Sequence, residues 1–135
     1  MNTAQSFRLN KKSKLIKTDE FSSVFSFRKR VFTKYLVIHY QPNALTYPRL
    51  GLVVAKKIAK LSVDRNYMRR VLRECFRLQQ HELNALDLIV QAQKKFTKQD
   101  FLTVKQEFAM LVEKLNRRTN EHTQKPQLNE DNAIA

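Results

Sequence analysis

LGLVVAKKIAKLSVDRNYMRRVLRECFR, residues 50–77, is the stretch of this 135-residue chain that decides the fold. Residues 49–55 are apolar on both alternating faces, a pattern typical of a strand covered on both sides, so we predict a central strand there. Ser62 can cap a helix, and a helical pattern follows to about Leu83. The stretch therefore predicts a strand that leads through a short basic connection into a helix.

The helix predicted after Ser62 has two different faces. At 100° per residue, its apolar side chains fall within one arc of about 100° and its basic ones within a separate arc of about 140°. The apolar arc comprises Met68, Val71, Leu72 and Cys75. The polar arc, called the basic face below, comprises Arg65, Asn66, Arg69, Arg70, Arg73 and Arg77. We expect the apolar arc to pack and the basic face to remain accessible.

Two further elements are predicted downstream. Residues 88–90 are apolar and form a short buried strand, which a strand–helix–strand unit would pair in parallel with residues 49–55. Thr97 and Asp100 match a capping box, and apolar residues repeat at helical spacing over 101–115. This last helix is the clearest in the chain.

Upstream of the central strand, the sequence predicts a helix followed by strands. Thr18 can cap a short helix whose buried side holds Phe21, Val24 and Phe25. Residues 31–40 are dense in β-branched and aromatic side chains, which indicates one or two strands.

These elements form a single α/β domain over residues 15–117. A chain of this length is too short for two good cores. Residues 1–14 are predicted to be a basic flexible segment and residues 118–135 a disordered polar tail. The fold class is α+β, a sandwich of about four strands and three helices in the order αβββαβα.

The net charge is concentrated in the first half of the chain. Lys and Arg number 26 against 12 Asp and Glu, which gives +14 at pH 7. Residues 1–34 and 49–77 each hold nine basic and two acidic side chains, whereas residues 78–135 hold eight of each. Such a distribution favours a polyanionic partner, although a merely solvated basic surface is the alternative.

Composition excludes several classes of function. A single glycine, Gly51, rules out glycine-rich nucleotide-binding loops. A lone Cys75 permits no intramolecular disulfide and no cysteine cluster for zinc, and His39, His81 and His122 lack metal-ligand spacing. No catalytic or metal-binding residue is predicted. No apolar run of about 18 residues and no signal-like segment occurs, so we expect a soluble cytoplasmic protein.

Basic residues in and after the strand–helix connection indicate contacts with RNA phosphates. Arginines recur every four residues along the helix, which places like charges in one row. Their repulsion is relieved when the row faces a phosphate backbone, where guanidinium groups make bidentate contacts. Asn66 can bond a base edge or a ribose, or the first turn of its own helix. The predicted RNA-binding residues are Lys56, Lys57, Lys60, Arg65, Asn66, Arg69, Arg70 and Arg73.

This stretch resembles the protein component of bacterial ribonuclease P. That family has a strand ending in a small residue and two lysines, a short loop, then Arg-Asn and often a third basic residue opening a basic helix. The matching residues are Ala55, Lys56, Lys57, Arg65, Asn66, Arg69, Arg70, Arg73, Glu74 and Phe76. The likeness extends to Phe21 and Phe25 and to the segments 48–51 and 87–92, and covers about residues 7–117.

The resemblance implies a fold and a division of labour. The fold would be a two-layer, ribosomal-protein-like α/β sandwich with a left-handed βαβ crossover. The RNA subunit would hydrolyse the phosphodiester with Mg²⁺. The residues of the protein predict no cofactor, and metal binding at the junction with the RNA stays open. The implied partners are the ribonuclease P RNA and precursor tRNA, with no membrane and no DNA. Phe21 and Phe25 would line a cleft between the first helix and the sheet, which holds the single-stranded 5′ leader of precursor tRNA.

Several alternatives stay open at the level of the sequence. A ribosomal or ribosome-associated RNA-binding protein would share the fold and the charge. The aromatic pair of the first helix would also suit plain core packing. Tyr67 stands where the family often has its third basic residue, and it can stack on a base instead. The strand register decides which of Tyr35, His39 and Tyr40 faces the cleft.

Overall fold

The computed structural model describes the backbone of residues 11–134 and the side chains of residues 12–119. Its helices and strands follow the predicted order αβββαβα. They are α1 (Thr18–Phe27), β1 (Lys29–Phe32), β2 (Leu36–Pro42), β3 (Arg49–Val53), α2 (Ser62–Gln79), β4 (Leu86–Ala92) and α3 (Phe101–Ile134). The α+β class is therefore confirmed, and the aromatic run at 31–40 belongs to two strands joined by a short turn.

The four strands form one mixed sheet in the order β1-β2-β4-β3. β1 with β2 and β2 with β4 are antiparallel, and β3 pairs in parallel with β4 as predicted. The prediction of a central strand at 49–55 is wrong, because β3 lies at the edge of the sheet. Its two apolar faces are both covered: Leu50 belongs to the main core, and Gly51 lies under the ring of Phe21. A parallel bridge from Lys14 to Leu50 occupies part of the outer edge.

Two hydrophobic cores lie on opposite faces of the sheet. The main core fills the space between the sheet and the pair α2 and α3, and it buries the whole predicted apolar arc of α2. Leu88 and Val90 of β4 face this core, whereas Ile89 between them packs with Leu15 and Val24 under α1. Such alternation follows from the period of two along a strand. α2 and α3 are thus the helical layer of the sandwich, and α1 covers part of the second face.

Only one of the three apolar residues predicted on the buried side of α1 is enclosed. Val24 is fully buried, whereas Phe21 is half-buried and Phe25 is 39% exposed. The reason is that α1 crosses the second face of the sheet without a further layer above it. The exposed part of this face is where the cleft described below is found.

The starts of α1 and α2 differ from the sequence prediction. Thr18 is the first residue of α1 and does not cap it. Instead, Glu20 Oε1 accepts the backbone N–H groups of Ile16 and Lys17, at 3.1 Å each. A charged acceptor makes the stronger bonds, and these two bonds are the main cause of the lowered pKa of Glu20. Ser62 is likewise the first residue of α2 and makes no capping bond.

The start of α3 agrees with the prediction. Asp100 Oδ2 accepts the backbone N–H of Thr97 at 2.9 Å and its hydroxyl at 3.3 Å, so the predicted capping box is confirmed. The box closes a turn of 3-10 helix that leads directly into α3. Within the described residues, no helix combines the length and apolar character needed to cross a membrane.

Order extends beyond both ends of the predicted domain, residues 15–117. Ser13 is buried, although the flexible segment was predicted to reach residue 14. At the other end, Arg118 Nη1 donates to the carbonyl oxygen of Arg30 at 3.0 Å. The backbone of α3 is helical beyond this contact, as far as Ile134. The disordered tail at 118–135 stays a prediction. The rest of the predicted flexible segment, residues 1–10, lies outside the described residues.

Candidate nucleic-acid interface

The middle of the basic face of α2 is accessible to a ligand. Asn66, Arg70 and Arg73 are exposed, and the half-buried Arg69 donates from Nη1 to Asn66 Oδ1 at 3.3 Å. Among the described side chains, no carboxylate forms a salt bridge with any of these three arginines. Their guanidinium groups are therefore available to phosphate oxygens.

The ends of the basic face are bound by the protein itself. Arg65 Nη1 donates to the carbonyl oxygens of Ala59 at 2.9 Å and Lys60 at 2.8 Å, and so fixes the loop that precedes α2. Arg77 forms a salt bridge with Glu74, one turn earlier in the helix. The arginines of this face look equivalent in the sequence. In the structure, Arg65 and Arg77 are bound by groups of the protein, whereas the arginines between them remain accessible.

The three predicted lysines lie in the loop between β3 and α2. The first turn of this loop is closed by a 3.0 Å bond from the N–H of Ile58 to the carbonyl oxygen of Ala55. All three side chains are exposed: Lys56, Lys57 and Lys60. Lys57 also lines the cleft, so the loop joins the basic face to that cleft.

A cleft of about 410 Å³ opens on the sheet face that bears α1. Cross-strand pairing explains its floor: Arg30 lies opposite His39 and Phe32 opposite Val37, so the four side chains share one face. The β3–α2 loop and the end of β4 form its walls. Cations and aromatic rings therefore line the same depression.

The register resolves which residue of the second strand faces the cleft. His39 lies on the cleft face, with its ring centroid 4.7 Å from that of Phe25 and the planes at 66°. Tyr40 is buried in the main core. Tyr35 is buried there too, and its hydroxyl donates to Asp100 Oδ1 at 3.1 Å. Of the three candidates, only His39 lines the cleft.

The surroundings of His39 lower the pKa of its imidazole, which favours the uncharged ring. Burial is the main cause of its lowered pKa, and the nearby charge of Arg30 adds to the effect. A hydrogen bond between Nε2 and Gln91 Oε1, at 3.2 Å, opposes the shift. A neutral ring held by Phe25 and Gln91 is suited to stacking on an unpaired base.

Neither of the two predicted cleft residues of α1 is among the residues that line the cleft, and the two have different surroundings. The ring of Phe21 lies over β3 so closely that a Cβ atom at Gly51 would be 2.6 Å from Phe21 Cζ. Phe21 also packs against the small core under α1, so much of its ring serves the fold. Phe25 contacts His39 and keeps 39% of its surface exposed. Phe25 is therefore the ring of this pair that a ligand can reach.

Several residues that line the cleft were not predicted from the sequence, among them Phe32, Arg30 and Gln91. Phe32 is 62% exposed, although a large apolar residue in a strand is normally buried. Arg30 and Gln91 complete the same surface from β1 and β4. Alternation along β1 predicts that Phe32 and Arg30 face the cleft only once the pairing of β1 with β2 is known.

Tyr67, the departure from the family motif, packs against the main core. Its ring centroid lies 6.4 Å from that of Phe96, with the planes at 64°. Phe96 is fully buried and also contacts Tyr35 edge-to-face, at 6.2 Å. The ring of Tyr67 therefore completes an aromatic cluster beneath α2.

The described residues present no catalytic constellation. Cys75 is buried, and burial raises the pKa of its thiol to about 11, so the reactive thiolate is scarce at neutral pH. Within the described part of the chain, no group of three His, Cys, Asp or Glu side chains is arranged to hold a metal ion. His81 is exposed after α2, and the side chain of His122 lies outside the described residues.

A network of ion pairs ties α1 to the sheet. Arg49 of β3 makes a bidentate contact with Asp87 of β4, at 2.8 Å from Nε and 2.7 Å from Nη2. Its Nη1 reaches Glu20 Oε2 of α1 at 3.0 Å. Asn43 donates to Asp87 Oδ1 at 2.8 Å, and Asp87 is only 3% exposed. The network links the first turn of α1 to β3 and β4.

Comparison with known proteins agrees with this architecture. The family model described as Ribonuclease P matches residues 9–116. The ribonuclease P protein component of Chromobacterium violaceum is 45% identical over 93 residues, which are 69% of this chain and 77% of the relative. That of an Azoarcus species is 47% identical over 102 residues, 76% of this chain and 85% of the relative.

Solved structures of RNase P proteins also match this fold. The RNase P protein of Thermotoga maritima superposes with a TM-score of 0.66 at 29% identity, covering 75% of this chain and 96% of that one. A mutant RNase P protein of Staphylococcus aureus gives 0.69 at 25% identity, covering 76% and 87%. The family match and the fold thus define a protein component of an RNA-processing enzyme. The chain belongs to the ribonuclease P protein family, as its motif predicted.

Proposed function

We propose that this chain binds the catalytic RNA subunit of ribonuclease P through the basic face of α2 and holds the 5′ leader of precursor tRNA in the cleft. It thereby promotes endonucleolytic removal of the leader, which leaves the mature 5′ end of the tRNA. The observation that supports this most directly is the continuity of the two surfaces. The β3–α2 loop places Lys57 in the cleft, and Arg65 fastens the other end of the same loop to α2.

The basic face suits a structured RNA. Arg69, Arg70 and Arg73 lie on one side of a rigid helix, without salt bridges among the described residues. Such groups contact phosphates of a fixed spacing, and they read shape more than sequence.

The cleft suits a single strand. An unpaired RNA strand needs aromatic faces for its bases and cations for its backbone. His39 and Phe32 line the cleft with rings, and Arg30 and Lys57 line it with cations. Phe25 lies beside this lining, in edge-to-face contact with His39. Stacking of this kind contributes about 1–3 kcal/mol per base.

In this proposal, the phosphodiester is hydrolysed on the RNA subunit with Mg²⁺, in the cytoplasm, and the protein contributes binding. The guanidinium and ammonium groups at the interface support this division. Such groups neutralise phosphates and release counterions, which is a binding role.

Cleavage of a precursor tRNA tests the proposal. A bacterial ribonuclease P RNA is assayed at near-physiological Mg²⁺ with and without this protein, and the protein is also assayed alone. We expect stimulation only when the RNA is present. Cleavage by the protein alone would contradict the division of labour. Intact RNA binding without stimulation would favour the ribosomal alternative.

Replacing Phe25 with Ala should weaken binding of precursor tRNA by about tenfold, because one stacking platform is lost. Binding of mature tRNA, which has no leader, should not change. The measurement is the Kd of the reconstituted holoenzyme for each tRNA.

Phe27→Ala is the matched control for this variant. Phe27 lies two residues later on the same helix and is 44% exposed, but among the described residues it has no ring contact with His39 such as Phe25 makes. An equal loss in both variants, or an equal loss for both tRNAs, would show that Phe25 does not hold the leader. Thermal unfolding of each variant checks that α1 remains folded.

A further inference from the structure

The turn between β1 and β2, residues 33–35, is held by side chains from distant parts of the chain. Its sequence, Thr-Lys-Tyr, contains none of the Gly, Asn or Asp residues that favour tight hairpin turns. Among the described residues, Arg28 is the only non-glycine residue with a positive φ, so this turn lacks the left-handed residues of the common two-residue hairpins. The conformation of the turn therefore depends on its tertiary contacts.

Glu107 of α3 supplies one of these contacts from the helical layer. Its Oε1 atom accepts the hydroxyl of Thr33 at 2.6 Å and the backbone N–H of Tyr35 at 3.0 Å. Both bonds are partly buried, and bonds to a charged acceptor are stronger than those between neutral groups. One carboxylate oxygen thus ties the two ends of the turn together.

Gln93 holds the same turn from the end of β4. Its Nε2 donates to the carbonyl oxygens of Thr33 at 2.8 Å and Leu36 at 3.1 Å, and its backbone N–H donates to the carbonyl oxygen of Tyr35 at 2.7 Å. The N–H of Thr33 donates to the carbonyl oxygen of Leu36 at 2.8 Å. Both backbone polar groups of Thr33 and of Tyr35 therefore have partners, and for the N–H of Tyr35 that partner is Glu107.

Phe32 connects this turn to the cleft. It precedes Thr33 directly, is 62% exposed and lines the cleft, as Gln93 also does. Glu107 contacts the turn from the opposite face of the sheet, because α3 packs on the main core. We propose that Glu107 is a positioning residue for the 5′ leader, which fixes the turn from behind the sheet and thereby holds Phe32 in its place in the cleft.

The charge of Glu107 makes this role distinguishable from an electrostatic one. The inference rests on the proposed function, because Phe32 affects the leader only if the leader lies in the cleft. A carboxylate repels phosphates, so a purely electrostatic role predicts that its removal strengthens binding of every RNA. A positioning role predicts the opposite change, a loss of affinity that is restricted to RNAs with a leader.

The test is a double-mutant cycle in the holoenzyme reconstituted with a bacterial ribonuclease P RNA. The Kd values for precursor tRNA and mature tRNA are measured for the unchanged chain, Phe32→Ala, Glu107→Ala and the double variant. We expect Phe32→Ala to weaken precursor binding about tenfold, because a stacking platform is lost, and Glu107→Ala about fivefold, because the ring is no longer held in place. The double variant should lose about tenfold, instead of the roughly fiftyfold of independent effects. Mature tRNA should bind as before.

Three further variants separate position from charge and from folding. Glu107→Gln keeps an oxygen that accepts both bonds, so precursor affinity should stay within about twofold of that of the unchanged chain. Thr33→Val removes only the 2.6 Å bond and should give a smaller, leader-specific loss. Glu113→Ala is the matched control, since it removes the same side chain from an exposed position on α3, and it should not weaken binding. Thermal unfolding checks that each variant is folded.

The possible outcomes separate the positioning role from the proposed function. A leader-specific loss in Glu107→Ala that disappears in the Phe32→Ala background supports the positioning role. Additive losses, an equal loss for both tRNAs, or the same loss in Glu113→Ala would overturn it. If the unchanged protein does not prefer precursor over mature tRNA, the proposed function itself has failed.

Discussion

Replacement of Arg69, Arg70 and Arg73 by Gln is expected to weaken binding of the ribonuclease P RNA roughly a hundredfold at near-physiological salt. Each phosphate contact on a helical RNA releases about 0.9 counterions, so three lost contacts should reduce the slope of log Kd against log salt by about 2.7. These arginines are the members of the basic face that make no salt bridge among the described residues. Filter binding across a salt series measures both quantities.

Two further variants test whether the loss is specific to these three arginines. Lys105→Gln/Lys114→Gln/Arg117→Gln removes three charges from α3 and should leave the slope unchanged. Asn66→Ala removes the acceptor that Arg69 contacts at 3.3 Å, and should reduce affinity several-fold without altering the slope, because it removes no charge. A salt profile that is already flat for the unchanged protein would rule out phosphate contacts as the source of affinity.

The basic face was predictable because its determinants are local. Helical periodicity fixes which residues share a face, and the structure buries all of Met68, Val71, Leu72 and Cys75 as that period requires. The separate role of Arg65 was not predictable, since its bonds to Ala59 and Lys60 depend on the path of the loop.

The cleft was only partly predictable because it depends on register and on strand order. His39, Phe32 and Gln91 reach one surface through the pairing of β1 with β2 and of β2 with β4. A shift of one residue would turn each side chain to the other face. The prediction of a central position for β3 was wrong for the same reason, because the order of strands in the sheet is not visible in the sequence. Burial on both faces is visible in the sequence, whereas a neighbouring strand on each side is not.

Asp87→Ala is expected to lower the free energy of unfolding by about 3 kcal/mol, because it leaves Arg49 partly buried without its bidentate partner. Asp87 is 3% exposed and also accepts a bond from Asn43 at 2.8 Å. Removing one partner of a buried pair costs more than removing both. The double variant Arg49→Ala/Asp87→Ala should therefore be less destabilised than the sum of the two single variants, with a coupling of about 2 kcal/mol. Urea unfolding of the four chains gives this coupling directly.

The same network should affect leader binding through α1. Glu20→Gln keeps an amide oxygen for the bonds from Ile16 and Lys17, but it removes the charge that Arg49 contacts at 3.0 Å. We expect a stability loss of only about 0.5–1 kcal/mol, since this pair is partly exposed. If this contact positions α1, and with it Phe25 beside His39, affinity for precursor tRNA should fall while affinity for mature tRNA is retained. If Glu20→Gln and Asp87→Ala reduce binding of both tRNAs equally, the network serves stability alone, and α1 is positioned by its packing on Gly51 and Ile89.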